Sequence, residues 1–419
     1  MSTLQFKYFS CFYKYFFVLF LILTIFARNN CLFKMEYTSK RLLSLDVMRG
    51  ITIAGMILVN NPGAWKFVYA PLLHAKWDGI TPTDVIFPFF LFIMGITTYI
   101  SLRKYNFEPR KDTILKIIRR TVVIFLCGLA LHWLILSFKT WHGLATEPIT
   151  NDVRFFKAIS NFGYLRISGV LQRLAITYCI TALIAIFVKH KYIVYIITAT
   201  LIGYFLLLLF GNGFEDSEQN IISIVDRALL GQNHLLPRAI DTGGPLATIA
   251  TACNVLIGFL CAKIITDERD NSKRMLQLFI VGAILTFAGM LLSYGCPFNK
   301  TTWTPTYVLI TCGLAATLLS LLIWLIDVKG HKQWSVFFES FGVNPLFIYV
   351  LASVMSTVLS GIRFTYGDKK TNIIDVFYST VLQPVFGNHL GSLAYALLLV
   401  GFCWIVAHYL YKKKIYIKI

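Results

Sequence analysis

Ten runs of apolar residues, separated by polar loops, leave this chain few folds to choose from. They lie near 46–62, 84–102, 114–137, 165–188, 191–210, 245–265, 275–294, 303–326, 337–360 and 390–410. Crossing a bilayer as a helix takes about 20 apolar residues, and these runs approach that length. They are not the narrow apolar stripe of an amphipathic helix. Composition agrees: 57% of the residues are hydrophobic and 14% charged, too little charge to cover the surface of a soluble domain this long. The expected fold is an all-α polytopic membrane protein with about ten core transmembrane helices. The stretch 372–386, interrupted by Pro384, is too short for a span and reads as interfacial or re-entrant. No repeat and no Gly/Ser- or Pro-rich linker divides the core.

A net charge of +19 invites a nucleic-acid partner, but the placement of the bases argues against one. Arg103, Lys104, Arg110, Lys111, Lys116, Arg119 and Arg120 fall between the second and third runs. Later basic groups fall in every second loop, ending with Lys412, Lys413 and Lys414. That alternation is the positive-inside pattern. It places both ends of the core in the cytoplasm and the loop carrying His74 outside, in a periplasm or lumen. Residues 1–34 form an N-terminal extension ahead of a transmembrane domain at 35–419. Its apolar stretch 8–27 reads as an eleventh helix, a signal segment, or an extension before a start at Met35. The nine cysteines are scattered, with neither metal-ligand spacing nor a disulfide framework, and no metal is expected.

Chemistry concentrates between Arg41 and Ser101. Leu45-Asp46-Val47-Met48-Arg49-Gly50 opens the first run and Asn60 closes it. His74-Ala75-Lys76-Trp77-Asp78-Gly79 follows in the loop, and Asp84 opens the second run. A histidine beside a membrane boundary can accept a proton from an amine or carry an acyl group. Asp84 either caps its helix or orients His74 as a triad carboxylate does. Asn60 either caps its helix or fixes a sugar hydroxyl or an oxyanion. Asp46 and Arg49, at i,i+3 spacing, suit each other as an ion pair. Gln172-Arg173 places a guanidinium inside an apolar helix, which by default marks a ligand site or a buried partner. Asn344-Pro345 interrupts the ninth run and breaks its backbone ladder.

With these motifs the chain resembles the heparan-alpha-glucosaminide N-acetyltransferase family and its bacterial homologues. The resemblance runs from about Arg41 to Ile419. It adds Gly169-Val170-Leu171-Gln172-Arg173-Leu174, Asn299-Lys300-Thr301-Thr302-Trp303-Thr304-Pro305-Thr306-Tyr307, Asp327-Val328-Lys329-Gly330 and Asn344-Pro345-Leu346 to the runs above. It implies transfer of acetyl from cytosolic acetyl-CoA to the amine of a terminal glucosamine on the far side. His74, Asp84 and Asn60 would be catalytic. Arg173, Arg49, Gln172 and Asn344 would bind the co-substrate, with the arginines meeting CoA phosphates from the cytoplasmic side. Two departures stand out. The segment from Asn60 to His74 carries Asn61-Pro62-Gly63-Ala64-Trp65 rather than a glycine run, and the large luminal region of the animal enzyme is not seen ahead of the core. A bacterial-type acceptor such as free glucosamine or an envelope sugar is therefore expected, with the protein in a bacterial inner membrane.

The partners so implied are acetyl-CoA as co-substrate, with no permanently bound cofactor, an amino-sugar or glycan acceptor and the bilayer. No nucleic acid is expected, and a homodimer is one assembly this reading allows. Two alternatives remain open on the residues alone: an amino-sugar transporter, because broken helices and midplane polar groups also build transporters, and an O-acyltransferase of envelope glycans.

Overall fold

A computed structural model of the protein describes residues 42–366 and 369–417. The chain forms α1 (Leu43–Asn60), α2 (Pro82–Arg103), α3 (Lys111–Gly143), a short α4 (Asn151–Ile159), α5 (Val170–Phe187) and α6 (Ile193–Phe210). The outer α7 (Ile221–Leu230) precedes α8 (Pro245–Asp267), α9 (Asn271–Leu292) and α10 (Pro305–Leu322), which continues as a π-helix to Val328. Then come α11 (Ser335–Val343), α12 (Pro345–Gly361), an antiparallel hairpin of β1 (Arg363–Tyr366) and β2 (Lys369–Asn372), the helical stretch Ile373–Phe386, and α13 (Asn388–Lys412). Among the described residues, nine helices are long and apolar enough to cross a membrane. The protein is a polytopic helical membrane protein. The expected N-terminal extension lies outside the described residues.

The ninth apolar run, 337–360, is interrupted where the sequence puts Asn344-Pro345: it forms α11 and α12, bent by 86°. Pro345 cannot donate a ladder hydrogen bond and pushes the residue before it out of helical geometry. Asn344 accordingly sits at φ −125°, ψ 54°. The hairpin β1–β2 is a small departure from an all-α fold.

Helix starts follow local chemistry. Thr81-Pro82, Gly244-Pro245, Thr304-Pro305 and Asn344-Pro345 each set a proline at the first helical position, where no N–H is needed. At the centre stands α8, 83% of whose apolar window is buried, whereas the corresponding figure for α3 is 11%, which puts α3 on the periphery. α2 crosses α8 backbone to backbone. A Cβ on Gly95 would fall 2.0 Å from the Val255 carbonyl oxygen, and one on Gly258 would fall 2.1 Å from that of Phe92. Small residues of this kind let helices approach closely where lipid provides no hydrophobic drive.

Several threonines inside the bundle are satisfied within their own helix. Thr177, Thr251 and Thr311 donate to carbonyls four residues back, at 2.7–2.8 Å. Asn254 of α8 joins two elements: it donates to the Thr311 hydroxyl at 3.0 Å and accepts from the Trp303 indole at 2.9 Å. That bond anchors the loop ahead of α10 to the most buried helix.

Candidate functional site

Thr81 caps α2, and Asp84, three residues on, turns its carboxylate back. Asp84 Oδ2 accepts from the Thr81 N–H at 3.1 Å, the Thr81 hydroxyl at 2.9 Å and the Ala75 N–H at 3.0 Å. Such a cap holds a carboxylate at a helix start. The other oxygen, Oδ1, is left for His74, whose Nδ1 lies 2.7 Å away. This one carboxylate thus both caps its helix and contacts His74. Asp84 is buried while the His74 side chain is 52% exposed, so the imidazole is reachable from solvent and its partner is not. With Nδ1–H assigned as donor to the carboxylate, Nε2 carries the lone pair.

The loop bearing His74 is held from two sides. The Trp77 indole donates to the Phe214 carbonyl at 3.0 Å. The Gly79 N–H donates to the Phe298 carbonyl at 2.8 Å, and the Asn299 amide donates to Asp78 at 3.1 Å. Asn299 also accepts from the Thr302 N–H at 3.0 Å. The same turn puts Trp303 in the left-handed region, φ 55°, with its ring 1% exposed. A non-glycine residue held there is uncommon, and the Asn254 and Asn299 bonds hold this one.

Lys300 follows Asn299 in this turn, and the sequence reading did not single it out. Its Nζ lies 3.3 Å from Asp84 Oδ1 and 3.1 Å from His74 Nδ1. Desolvation holds its ammonium below the ordinary lysine range against the pull of Asp84, with Arg173 adding to the depression. One signal was present: Lys300 is a lone base in a loop otherwise poor in bases.

A cavity of about 350 Å³ is lined by His74, Asp84, Asn60, Gln172, Arg173 and Lys300, among others. Five of the seven residues marked in the sequence therefore meet. Arg173 is only 2% exposed, lies 4.9 Å over the Trp303 ring, and donates at 3.3 Å to the Gly244 carbonyl. Its Nε is buried without a hydrogen-bond partner. A buried guanidinium with an unmet donor is suited to an anionic ligand. The sequence reading had Arg173 meeting phosphates at the cytoplasmic side. The structure sets it in the first turn of α5, which starts at Val170, where it lines the His74 cavity. His132 of α3, also unmarked in the sequence, lines the same cavity with Nδ1 2.9 Å from the Arg166 carbonyl oxygen.

Arg49 and Asn344 are not brought to this cavity. Arg49 pairs with Asp46 at 2.9 Å and donates to the Gly342 carbonyl at 2.9 Å. It lies eleven residues before Asn60, roughly 16 Å along α1 at the helical rise. Asn344 uses both ends of its amide on the C-terminal tail, donating to the Ile415 carbonyl and accepting from the Ile417 N–H, each at 2.8 Å. Its geometry is that of a clamp on the tail.

Beside the cavity, a larger groove of about 730 Å³ runs between α1, α3 and α12 and shares Met56, Asn60 and Tyr349 with it. Asp226 of α7 accepts from the Leu246 N–H at 2.9 Å, and its second oxygen is buried without a partner. Burial pushes this carboxyl up to about 6, with the Leu246 N–H and Arg173 opposing. Between about pH 4 and 6 the folded protein then holds a proton that the unfolded chain has released. The associated stability is present below the unfolded value of 3.8 and is lost as pH rises through about 6. Thermal unfolding in detergent should show wild type losing stability from pH 4 to 7 relative to Asp226→Asn. Parallel pH curves for the two proteins would contradict this.

No protein-family model matches the chain. Among curated proteins, the heparan-alpha-glucosaminide N-acetyltransferase of Mus musculus is 24% identical over 440 residues, covering 91% of this chain and 61% of that protein. Its Homo sapiens counterpart is 24% identical over 368 residues, covering 74% of this chain and 52% of that protein. The chain thus spans between about half and six-tenths of the length of these relatives. The match over most of this chain makes it a distant relative of the heparan-alpha-glucosaminide N-acetyltransferases.

Proposed function

We propose that the protein is a transmembrane acetyltransferase that moves acetyl from acetyl-CoA to the amine of a glucosamine-type sugar at the His74 face. The observation that carries this reading is the 2.7 Å contact between His74 and the buried Asp84 at a cavity rich in cations. A thioester is already activated, so the protein needs mainly to align an unprotonated amine with the acetyl carbon and to take up its proton. In direct transfer, the amine nitrogen bonds to the thioester carbon as His74 Nε2 accepts the amine proton. The carbon–sulfur bond then breaks, and the imidazolium returns the proton to the departing thiolate. The products are an acetamide and CoA. In the stepwise variant His74 itself carries acetyl between the two substrates.

Arg166, Arg173, Arg238 and Lys300 line the cavity, and Asp84 is the carboxylate among its lining residues. That balance favours a polyanionic donor. Arg173 and Gln172 are assigned to the donor, and Asn60, which borders both cavity and groove, to the acceptor. Purified protein given radiolabelled acetyl-CoA and a panel of amino sugars should form a labelled acetamide. An acetyl ester would identify an O-acyltransferase, and sugar uptake into liposomes without acetylation would identify a transporter.

The proposed sidedness has its own test. Cysteines engineered into the loop 103–113 should be labelled from the cytoplasm and those in 211–244 from outside. The reverse pattern would place His74 on the cytoplasmic face and remove the transmembrane character of the reaction.

A further inference from the structure

A buried carboxylate 2.7 Å from an imidazole favours the imidazolium, and an imidazole held in that form cannot act as a base. Asp84 alone would bias His74 in this direction, since its surroundings screen charges poorly. Lys300 changes that balance. Its ammonium lies within 3.3 Å of the same Asp84 oxygen and 3.1 Å from the imidazole nitrogen that faces it. With Nδ1–H donated to Asp84, Lys300 cannot also hydrogen-bond Nδ1, because both groups are donors. It bonds the carboxylate and stands beside the imidazole as a positive charge that repels the imidazolium form.

We propose that Lys300 is a positioning residue that shares Asp84 with His74 and thereby keeps the imidazole neutral and available at Nε2. This deepens the acetyltransferase reading and rests on it for its catalytic consequence, though not for its electrostatics. The arrangement is built rather than incidental. Asn299, the preceding residue, is bonded to Asp78 of the histidine loop, so the two loops are tied one residue from the contact. Asp84 keeps three further donors from Thr81 and Ala75, so removing Lys300 leaves the carboxylate in place. The other charged or titratable groups facing the cavity are Lys76, His132, Arg173, Arg238, Tyr349 and Arg166, the last paired with Asp241 at 2.7 Å. Of these, Arg173 is the one whose charge is felt at Lys300, and Lys300→Arg keeps that interaction.

The test reads the protonation of His74 without requiring turnover. Diethyl pyrocarbonate modifies an imidazole only in its neutral form, and the half-exposed His74 is accessible to it. Its modification in the full-length protein is followed by mass spectrometry from pH 5 to 9 (about the histidine range). In Lys300→Gln the midpoint for His74 should move to higher pH by about one unit or more, a tenfold fall in the neutral fraction below the midpoint. Lys300→Arg, which keeps the charge, should stay near wild type. The acid limb of kcat/KM for acetyl transfer should move in parallel. An unchanged midpoint in Lys300→Gln overturns the proposal, as does an equal shift in Lys300→Arg. If the midpoint moves but no amino sugar is acetylated by wild type, the acetyltransferase reading fails while the role of Lys300 stands.

Discussion

Replacing His74 by alanine should abolish acetyl transfer while leaving the protein folded, inserted and able to bind acetyl-CoA. The side chain sits half-exposed in a loop, so truncating it opens no core cavity. The loop itself is held by Trp77, Asp78 and Gly79, none of which depends on the imidazole. Loss of a general base costs about 10²–10⁴ in rate, whereas loss of a covalent carrier could leave no measurable turnover. Labelled-acetamide formation, with donor binding measured separately, separates these outcomes from misfolding. Asp84→Asn should be more selective. The asparagine oxygen can keep the bonds to Thr81 and Ala75, which turns its NH₂ toward His74 Nδ1. The imidazole then has to accept there and carries its proton on Nε2, the wrong tautomer for a base. A rate loss of about 10²-fold or more is expected with the fold retained. Wild-type-like acetylation by His74→Ala would sink the mechanism and the site assignment together.

The second large effect is expected at Arg173. Arg173→Ala should raise the KM for acetyl-CoA by tenfold or more, with the acceptor KM nearly unchanged, since a charge-assisted contact is worth about 1.5–3 kcal/mol. The motivation is the buried Nε without a partner and the weak 3.3 Å bond to Gly244, donors that a bound anion would satisfy. Arg173→Lys should recover part of the affinity, keeping the charge and losing the fork geometry. A fall in kcat at unchanged KM would instead assign Arg173 to the reacting carbonyl. Loss of the folded protein in detergent would mark it as a structural group held by the Trp303 ring.

How much of this was legible in the chain depends on the range of the interaction. Hydropathy and the Thr-Pro starts of α2 and α10 are local signals, and the helices follow them because lipid leaves the backbone no other way to satisfy itself. The pairing of His74 with Asp84 was also readable, because ten residues and one turn separate them and a helix start favours a carboxylate. Asn344 was marked for a broken helix, and the structure shows its amide taken up by the C-terminal tail. A proline break frees backbone groups, but nothing local says that the C-terminal tail returns to pair with that amide.

By itself, then, the sequence determined a polytopic helical bundle, the loop that carries the histidine, and the carboxylate that faces it, since each depends on hydropathy or on contacts within about ten residues. Tertiary structure alone decided three further things. It put Lys300 against His74 across 226 positions of sequence, set Arg173 in the histidine's cavity rather than at the opposite face, and left Arg49 at the far end of α1. The physical reason is that these depend on which helices cross closely and where each begins. Those choices rest on small-residue contacts such as Gly95 with Val255 and on buried bonds such as Asn254 with Trp303, whose partners are unmarked in a linear reading.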